Sequence, residues 1–458
     1  MDLHFSCIKI VSVMKKCLVL PALFFITTLF AQPSGSLLDF KAYTNKNCSI
    51  GNVYGKDIFM VQSPTGINYL APLYNAYCKE QHDDKQFASR AYYDNLSQSV
   101  SFLGDIKSVQ AYLMLCYSSI DSNLAKVLQR EVKSFSGSVM VDARDYIREH
   151  AFSYRVVMIN EAHCNPLHRA FTYSLLKDFY SKGFRYLAME TFNNNSNRNL
   201  ESLTSNTGYY TNEPVGGELV REAQKLGFKL VAYEDTVFSH NGRQRDSVQA
   251  AHLYEVIQKD STAKILVHAG YGHIGKASTV EGSMPMAYQF KKLSAIEPYC
   301  IDQTFMSEGG YDGFSSMYYK LLIKKYPVTI TSVLVRNNLP IQFLPDSNSY
   351  NIHIIHPPTI YDSGRATWYS LNGEKQRLVI SKKDCPAGTF LIQAYYREEF
   401  DKNELNRIVP ADQTYLYDNG KNYILYLKKG KYKIIFRDMA YKILKEKNLS
   451  TRIVGAGT

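Results

Sequence analysis

The chain reads as an α/β protein: a mostly parallel sheet flanked by helices, with an N-terminal helical section and a C-terminal β-sandwich-like appendage. Three observations predict this. From residue 154 to about 335, β-branched runs alternate with runs of helical period, the pattern of successive strand–helix units whose strands lie parallel. Ahead of residue 140, apolar positions recur at helical spacing, and after residue 371 short strand-like runs follow one another between turn signals. The expected division is a signal peptide over 1–31, a helical section over 32–140, an α/β core over 141–370 and a small β-rich domain over 371–458.

Met14-Lys15-Lys16, the largely apolar run 17–30 and the Leu29-Phe30-Ala31 junction have the form of a signal peptide, with cleavage expected after Ala31. The apolar run is too short for a comfortable membrane span, and no other run is longer. The mature protein is therefore expected to be exported, periplasmic or secreted, without a transmembrane segment. Six cysteines remain after Ala31 (Cys48, Cys78, Cys116, Cys164, Cys300 and Cys385). They are too sparse for a disulfide framework but leave room for one or two bridges in an oxidising compartment.

The elements follow in order. Asp105 and Asp121 stand where N-caps are expected, before Ile106, Val109, Leu113 and Cys116 in one case and Leu124, Leu128 and Val132 in the other. Ser136-Gly137-Ser138 reads as a joint. A helix over 142–151 leads into a strand beginning at Tyr154, and Asn165-Pro166 reads as a cap with proline at the first position of a helix over 166–182. Strand 185–189 delivers Glu190, and a polar stretch from Asn193 opens a long insertion. Helix 218–226 and strand 229–233 deliver Glu234 and Asp235; helix 246–259 and strand 264–267 deliver His268 and His273. Helix 286–293, strand 299–301, helix 315–325 and strand 329–335 are expected to extend the layer, with another strand near 350–356. Beyond residue 371 the expected strands are 377–381, 389–396, 414–417, 422–427 and 431–436, with Asp418-Asn419-Gly420 as a hairpin turn.

Composition narrows the function. Hydrophobic content of 45% with 21% charged residues describes an ordinary globular protein rather than a disordered one. The net charge of +11 is scattered and carries no RNA-binding or zinc-finger signature, so a solvated basic surface is expected and no nucleic-acid partner. No Gly-x-Ser-x-Gly elbow, Walker loop or His-Glu-x-x-His helix is present.

The informative feature is recurrence. Four successive strands end in ionisable groups: Glu161 and His163, Glu190, Glu234 and Asp235, and His268 with His273. In a parallel sheet these ends share one edge, the usual ligand crevice of α/β folds. Each alone has a plainer reading, Glu190 as a salt-bridging acid and His268 as a core histidine; together they point to a site. Side chains two apart on an extended chain share a face, so Glu161 and His163 are expected to point the same way. Two histidines and two carboxylates (Glu161, His163, Glu190 and His273) can bind one divalent metal ion with a position left for water. Alternatively one histidine is a general base whose tautomer a carboxylate fixes. Arg245 is a candidate for holding a substrate carboxylate or an oxyanion, with a surface pair to Asp246 as its plainer reading. His168 and Arg365 are further candidates for contact with substrate, the Arg365–Trp368 loop as a cover. Cys164 faces away from His163 if the chain is extended, which argues against a thiol nucleophile.

Glu161-Ala162-His163-Cys164-Asn165-Pro166-Leu167-His168-Arg169 resembles the Glu-x-His-x-Asn-Pro-x-His signature of ChaN-like proteins. With Met189-Glu190, Arg245-Asp246 and the glycine-flanked His273, it is similar to the superfamily joining erythromycin esterases, ChaN-like haem-binding proteins and the TraB/Tiki proteins. The resemblance spans residues 142–304 and implies functional roles for Glu161, His163, Glu190, Arg245 and His273. Asn160 departs from it, standing where these families carry glycine. Members of the superfamily differ in activity, so the resemblance leaves several readings open. The leading expectation is an exported hydrolase that activates water, through a histidine base or a divalent metal, and cleaves an ester or amide of a small molecule or peptide. The alternative is a haem- or iron-binding protein of ChaN type without catalytic activity, in which one of the 36 tyrosines supplies an axial ligand. A third is an inactive scaffold whose β appendage binds a partner or glycan.

Overall fold

In the computed structural model, residues 33–48, 62–63, 66–82, 90–116, 120–195, 200–278, 282, 284–310, 312–343, 349–416 and 421–451 are described. The expected signal peptide and the 418–420 turn lie outside them. Among the described residues, no helix is long and apolar enough to cross a membrane.

Six parallel strands form the central sheet, in the order Ile352–His353, Tyr299–Asp302, Val156–Glu161, Ile265–Gly270, Tyr186–Met189, Lys229–Val231. The strands Val156–Glu161 and Ile265–Gly270 are buried along their whole length. Their continuous apolar run is what a strand covered by helices on both faces requires. They pair in register from Val156 opposite Ile265 to Glu161 opposite Gly270, and Met189 pairs with His268. The carboxyl ends of these strands therefore open on one edge. Helices Pro166–Ser181 and Pro214–Leu226 pack together through one apolar cluster, while Gly242–Lys259 and Met286–Ser294 share another on Val156, Met158, Val267 and Cys300.

Local chemistry sets the helix ends. Asn165 caps its helix through the Leu167 N–H, with Pro166 at the first position. Asn241 and Gln244 form a reciprocal capping box on Gly242–Lys259. Helix Pro214–Leu226 begins four residues earlier than expected. Glu213 is its cap, accepting from the Val215 and Gly216 N–H groups. Gly216-Gly217 disguised this first turn, yet Gly216 is needed there: a Cβ would lie 2.2 Å from the Tyr210 carbonyl oxygen.

Strand Ser332–Arg336 does not extend the parallel layer. It pairs antiparallel with Val139–Asp142 and Leu339–Pro340 in a separate three-stranded sheet. Its alternation explains the placement, because Val333 and Val335 pack into one apolar cluster and Leu334 into another. Its partner Val139–Asp142 falls across the expected end of the helical section and the expected start of the helix 142–151.

The N-terminal section holds helices Gly35–Asn47, Ala71–His82, Arg90–Phe102, Ile106–Cys116 and Ser122–Ser134. Asp105 accepts from the Ser108 N–H, and Asp121 from that of Asn123, as the caps required. A disulfide joins Cys48 to Cys78.

The C-terminal strands are antiparallel and form two ladders. One pairs Gln376–Ser381 with Asn422–Leu427; the other runs Asp412–Tyr415, Leu391–Tyr396, Gly430–Arg437, Ile443–Thr451. The strands flanking the 418–420 turn thus belong to different ladders and do not pair as the hairpin expected. Strand Ile443–Thr451 went unpredicted because Lys445, Glu446 and Lys447 hide its alternation.

Buried polar contacts join the three sections. Tyr415 donates its hydroxyl proton to Asp105 (2.6 Å), and the Gln413 amide donates to the Phe102 carbonyl (2.8 Å). Arg365 belongs to this seam. Its guanidinium donates to the Gln413 carbonyl (2.6 Å) and to Asp412 (2.7 Å), fully enclosed, while Gly104 at φ 77° leaves room for it. It ties the core to the C-terminal strands and does not line the site.

Candidate functional site

The carboxyl edge of the sheet carries two clusters of the same chemistry, one closed and one open. The closed cluster centres on Glu161 and Arg169. Arg169 Nε lies 2.7 Å from Glu161 Oε2 and Nη2 donates to Oε1 at 3.1 Å. His268 Nε2 meets the same Oε2 at 2.9 Å and its Nδ1 meets the Thr172 hydroxyl at 3.1 Å. Glu213 reaches Arg169 from the helix cap at 3.4 Å. These side chains are 0–4% exposed. Burial pushes the Glu161 carboxyl up, but Arg169 and His268 outweigh it and hold the group at about 2.

The open cluster centres on Arg245. Its Nη2 donates to Glu190 Oε1 at 2.5 Å, and its Nε donates to Glu234 Oε1 at 2.8 Å. Its Nη1 lies 3.1 Å from His273 Nε2. Asp246, one residue along the helix, takes the other face of the chemistry: it bonds His273 Nδ1. The second oxygen of Glu190 accepts from the Gly270 N–H. Side-chain exposure here is 10–30%. Burial pulls the His273 imidazole down, but Glu190 and Asp246 outweigh it and raise the group to about 9. Glu190 is pushed up by burial and held below the ordinary carboxylate range by His273 and Arg245.

His163 lies beside this open cluster. A Cβ on Gly270 would stand 2.3 Å from His163 Nε2 and 3.0 Å from Glu190 Oε2, so the glycine admits both groups. The imidazole stacks on Tyr210 (4.4 Å between centroids) and meets the edge of Tyr271 (4.8 Å). Burial lowers its pKa against the opposite pull of Glu190 and Glu161. Burial thus favours the neutral form of His163, while the neighbouring carboxylates favour the charged form of His273.

Glu161 and His163 do not point the same way. The strand ends at Glu161, and the chain turns at once, the Asn165 N–H bonding the Ala162 carbonyl at 2.9 Å. Glu161 remains in the sheet's interior and His163 swings out to the crevice. His168, expected to contact substrate, is fully buried. Its Nδ1 accepts the Ala162 N–H at 2.9 Å, and its low pKa, set by burial, keeps that lone pair available. It shapes the turn that delivers His163. Asn160, the departure from glycine, donates to the Tyr271 carbonyl (2.8 Å) and to Asp302 (2.7 Å), bracing the turn that carries His273. Cys164 is buried and its thiol is pushed up to about 12 by burial, which disfavours a thiolate.

Arg169, Asp246, Tyr210 and Glu213 were not assigned to the site from sequence. Arg169 had a signal, since it lies eight residues after Glu161 on the exit helix. Tyr210 and Glu213 come from the insertion after Glu190, whose course no local pattern reveals. The four expected metal ligands do not form one set: Glu161 faces Arg169 and His268, and both Glu190 oxygens carry N–H donors. Among the described residues, no group of three or more His, Cys, Asp or Glu side chains is arranged to hold a metal ion.

No protein-family model and no curated protein matches the chain. Among solved structures, the signal recognition particle receptor FtsY from Elizabethkingia anophelis is similar to it only loosely. The TM-score is 0.19 at 13% identity, over 74% of this chain and 97% of that one.

Proposed function

We propose that the chain is an exported hydrolase that activates water at the open cluster and cleaves an ester or amide of a small molecule or peptide. One observation carries the reading: two imidazoles in opposed surroundings both lie beside Glu190, one flanked by tyrosine rings, the other held between carboxylates. Titratable groups driven apart in this way divide into base and acid. His163 takes the proton as a water oxygen bonds to the carbonyl carbon. The negative charge that develops on the carbonyl oxygen faces Arg245 and the His273 imidazolium. As the carbon–oxygen or carbon–nitrogen bond breaks, His273 gives its proton to the leaving atom, and Asp246 keeps the neutral ring in place. Glu190 holds Arg245 and the Gly270 N–H around the reacting centre. The Cys48–Cys78 disulfide supports export, because such bridges persist in oxidising compartments.

The test is alanine substitution of each imidazole. His163→Ala and His273→Ala should each lower hydrolysis of a cognate ester or amide by about a hundredfold or more while the protein stays folded. Metal and haem analysis of protein purified without chelator, with haem titration followed by absorbance, supplies the control. Stoichiometric haem binding by the wild type and both variants, with no turnover across an ester and amide panel, would replace the hydrolase with a carrier.

A further inference from the structure

We infer that Tyr210 is a positioning residue for the His163 imidazole, and that Gln98, from the N-terminal helices, holds Tyr210 in place. The inference rests on the reading of His163 as the base. A histidine base usually has its ring turned by a hydrogen bond from its second nitrogen to a carboxylate or carbonyl. His273 has that partner in Asp246. Among the described residues the His163 ring has none; its backbone carbonyl accepts from Arg169 at 2.8 Å, and its backbone also bonds the Tyr271 hydroxyl. Its plane is set instead by rings. It lies on Tyr210 with 28° between planes, and Tyr271 closes on it edge-first at 66°. Stacking fixes a ring's plane as a hydrogen bond fixes its direction.

Tyr210 is itself held on several sides. Its hydroxyl donates to Gln98 Oε1 at 3.1 Å, and Gln98 Nε2 donates to Asp94 at 3.1 Å, which settles the way the amide faces. The Arg169 guanidinium lies 4.9 Å from the ring centre. The Tyr210 N–H donates to the Thr191 hydroxyl at 2.6 Å, and its carbonyl packs on Gly216 with no space for a Cβ. Three separated segments are therefore linked through Tyr210: the helix Arg90–Phe102 by Gln98, the insertion after Glu190 that carries the ring, and the turn after Glu161 that carries His163. The helical section, which carries no chemistry of its own, takes part in catalysis by fixing the plane of the base.

The experiment reads the stack and the rate together. Tyr210→Leu removes the ring, and Tyr210→Phe keeps it. The His163 ring-proton resonance, assigned by its loss in His163→Gln, lies upfield in the wild type because it sits over a tyrosine face. It should move fully downfield in Tyr210→Leu and only in part in Tyr210→Phe, where the ring remains but its bond to Gln98 is lost. With an ester substrate, kcat should fall about ten- to a hundredfold in Tyr210→Leu, with KM little changed, and Tyr210→Phe, which keeps the ring but loses the Gln98 bond, should recover only part of it. Should Tyr210→Leu not fold, Tyr210→Met carries the same expectations with less loss of volume. A His163 resonance that does not move when the ring is removed would overturn the inference, as would a loss appearing in KM alone. If the wild type turns over no ester or amide, the hydrolase reading falls, and the resonance still decides whether Tyr210 holds the imidazole.

Discussion

The two clusters at the sheet edge use the same parts to different ends. Each has an arginine between two carboxylates and a histidine bonded to a carboxylate, Glu161 in one and Asp246 in the other. Around Arg169 these groups are sealed, and their ionic partners lie inside the fold. Around Arg245 they are partly exposed at the sheet edge, where solvent reaches them. In the proposed hydrolase, exposure divides the labour: the sealed set supports the backbone that carries His163, and the open set is the one left to react. Removing one partner of a sealed ion pair strands the other charge in a low-dielectric interior, whereas the same removal at the surface is relieved by solvent.

The largest effect should come from breaking the sealed set. Arg169→Met leaves Glu161 without its main counter-charge and should cost about 3–5 kcal/mol, read from chemical denaturation. Arg245→Met should cost at most about 1 kcal/mol by the same measurement, because the residue is partly solvated, and should act mainly on turnover. Equal stability losses would erase the distinction. Next in size, Gly270→Ala places a methyl group against His163 and Glu190. Activity should fall about a hundredfold with a small change in Tm, since the backbone at Gly270 is ordinary extended chain and only the site loses space.

The clusters should also separate by pH. Glu161 titrates at about 2 in the fold against an ordinary 4.5, so its contribution is complete above 4.5 and lost as pH falls through about 2. His273 titrates at about 9 against an ordinary 6.5, so its contribution is complete below 6.5 and lost as pH rises through about 9. Urea midpoints measured across pH should therefore lose their alkaline decline in His273→Gln while the acid decline remains; an unchanged alkaline limb would remove His273 from the account. The smallest effect tests how the open set is mounted. Asn241→Ala removes the cap of the helix carrying Arg245 and Asp246, and should cost about 1 kcal/mol with a modest drop in turnover.

Much of this arrangement was legible along the chain. The β-branched run before Glu161, the Asn165-Pro166 cap and the repeated return of ionisable groups at strand ends all follow from local sequence, because periodicity and capping act over a few residues. The parallel order of the strands then brings Glu190, Glu234, Arg245 and His273 together without further information. Other features had no local cause. Arg365 looks like a loop residue until Asp412, forty-seven positions later, closes on it. Val139–Asp142 became a strand only because Ser332–Arg336 was available to pair with it.

What the sequence determined by itself was the inventory and its periodic placement: which acids and imidazoles exist, and that each follows a strand. Which of them are sealed and which are open was decided by tertiary structure alone. Glu161 and His163 are two residues apart, yet a single turn after the strand sends one to Arg169 and the other to Gly270. The difference is the dielectric around each group and the partners that reach it from distant segments. Neither is a property of a residue's neighbours in the chain; both come from the packing of the Glu190 insertion and the N-terminal helices against the sheet edge.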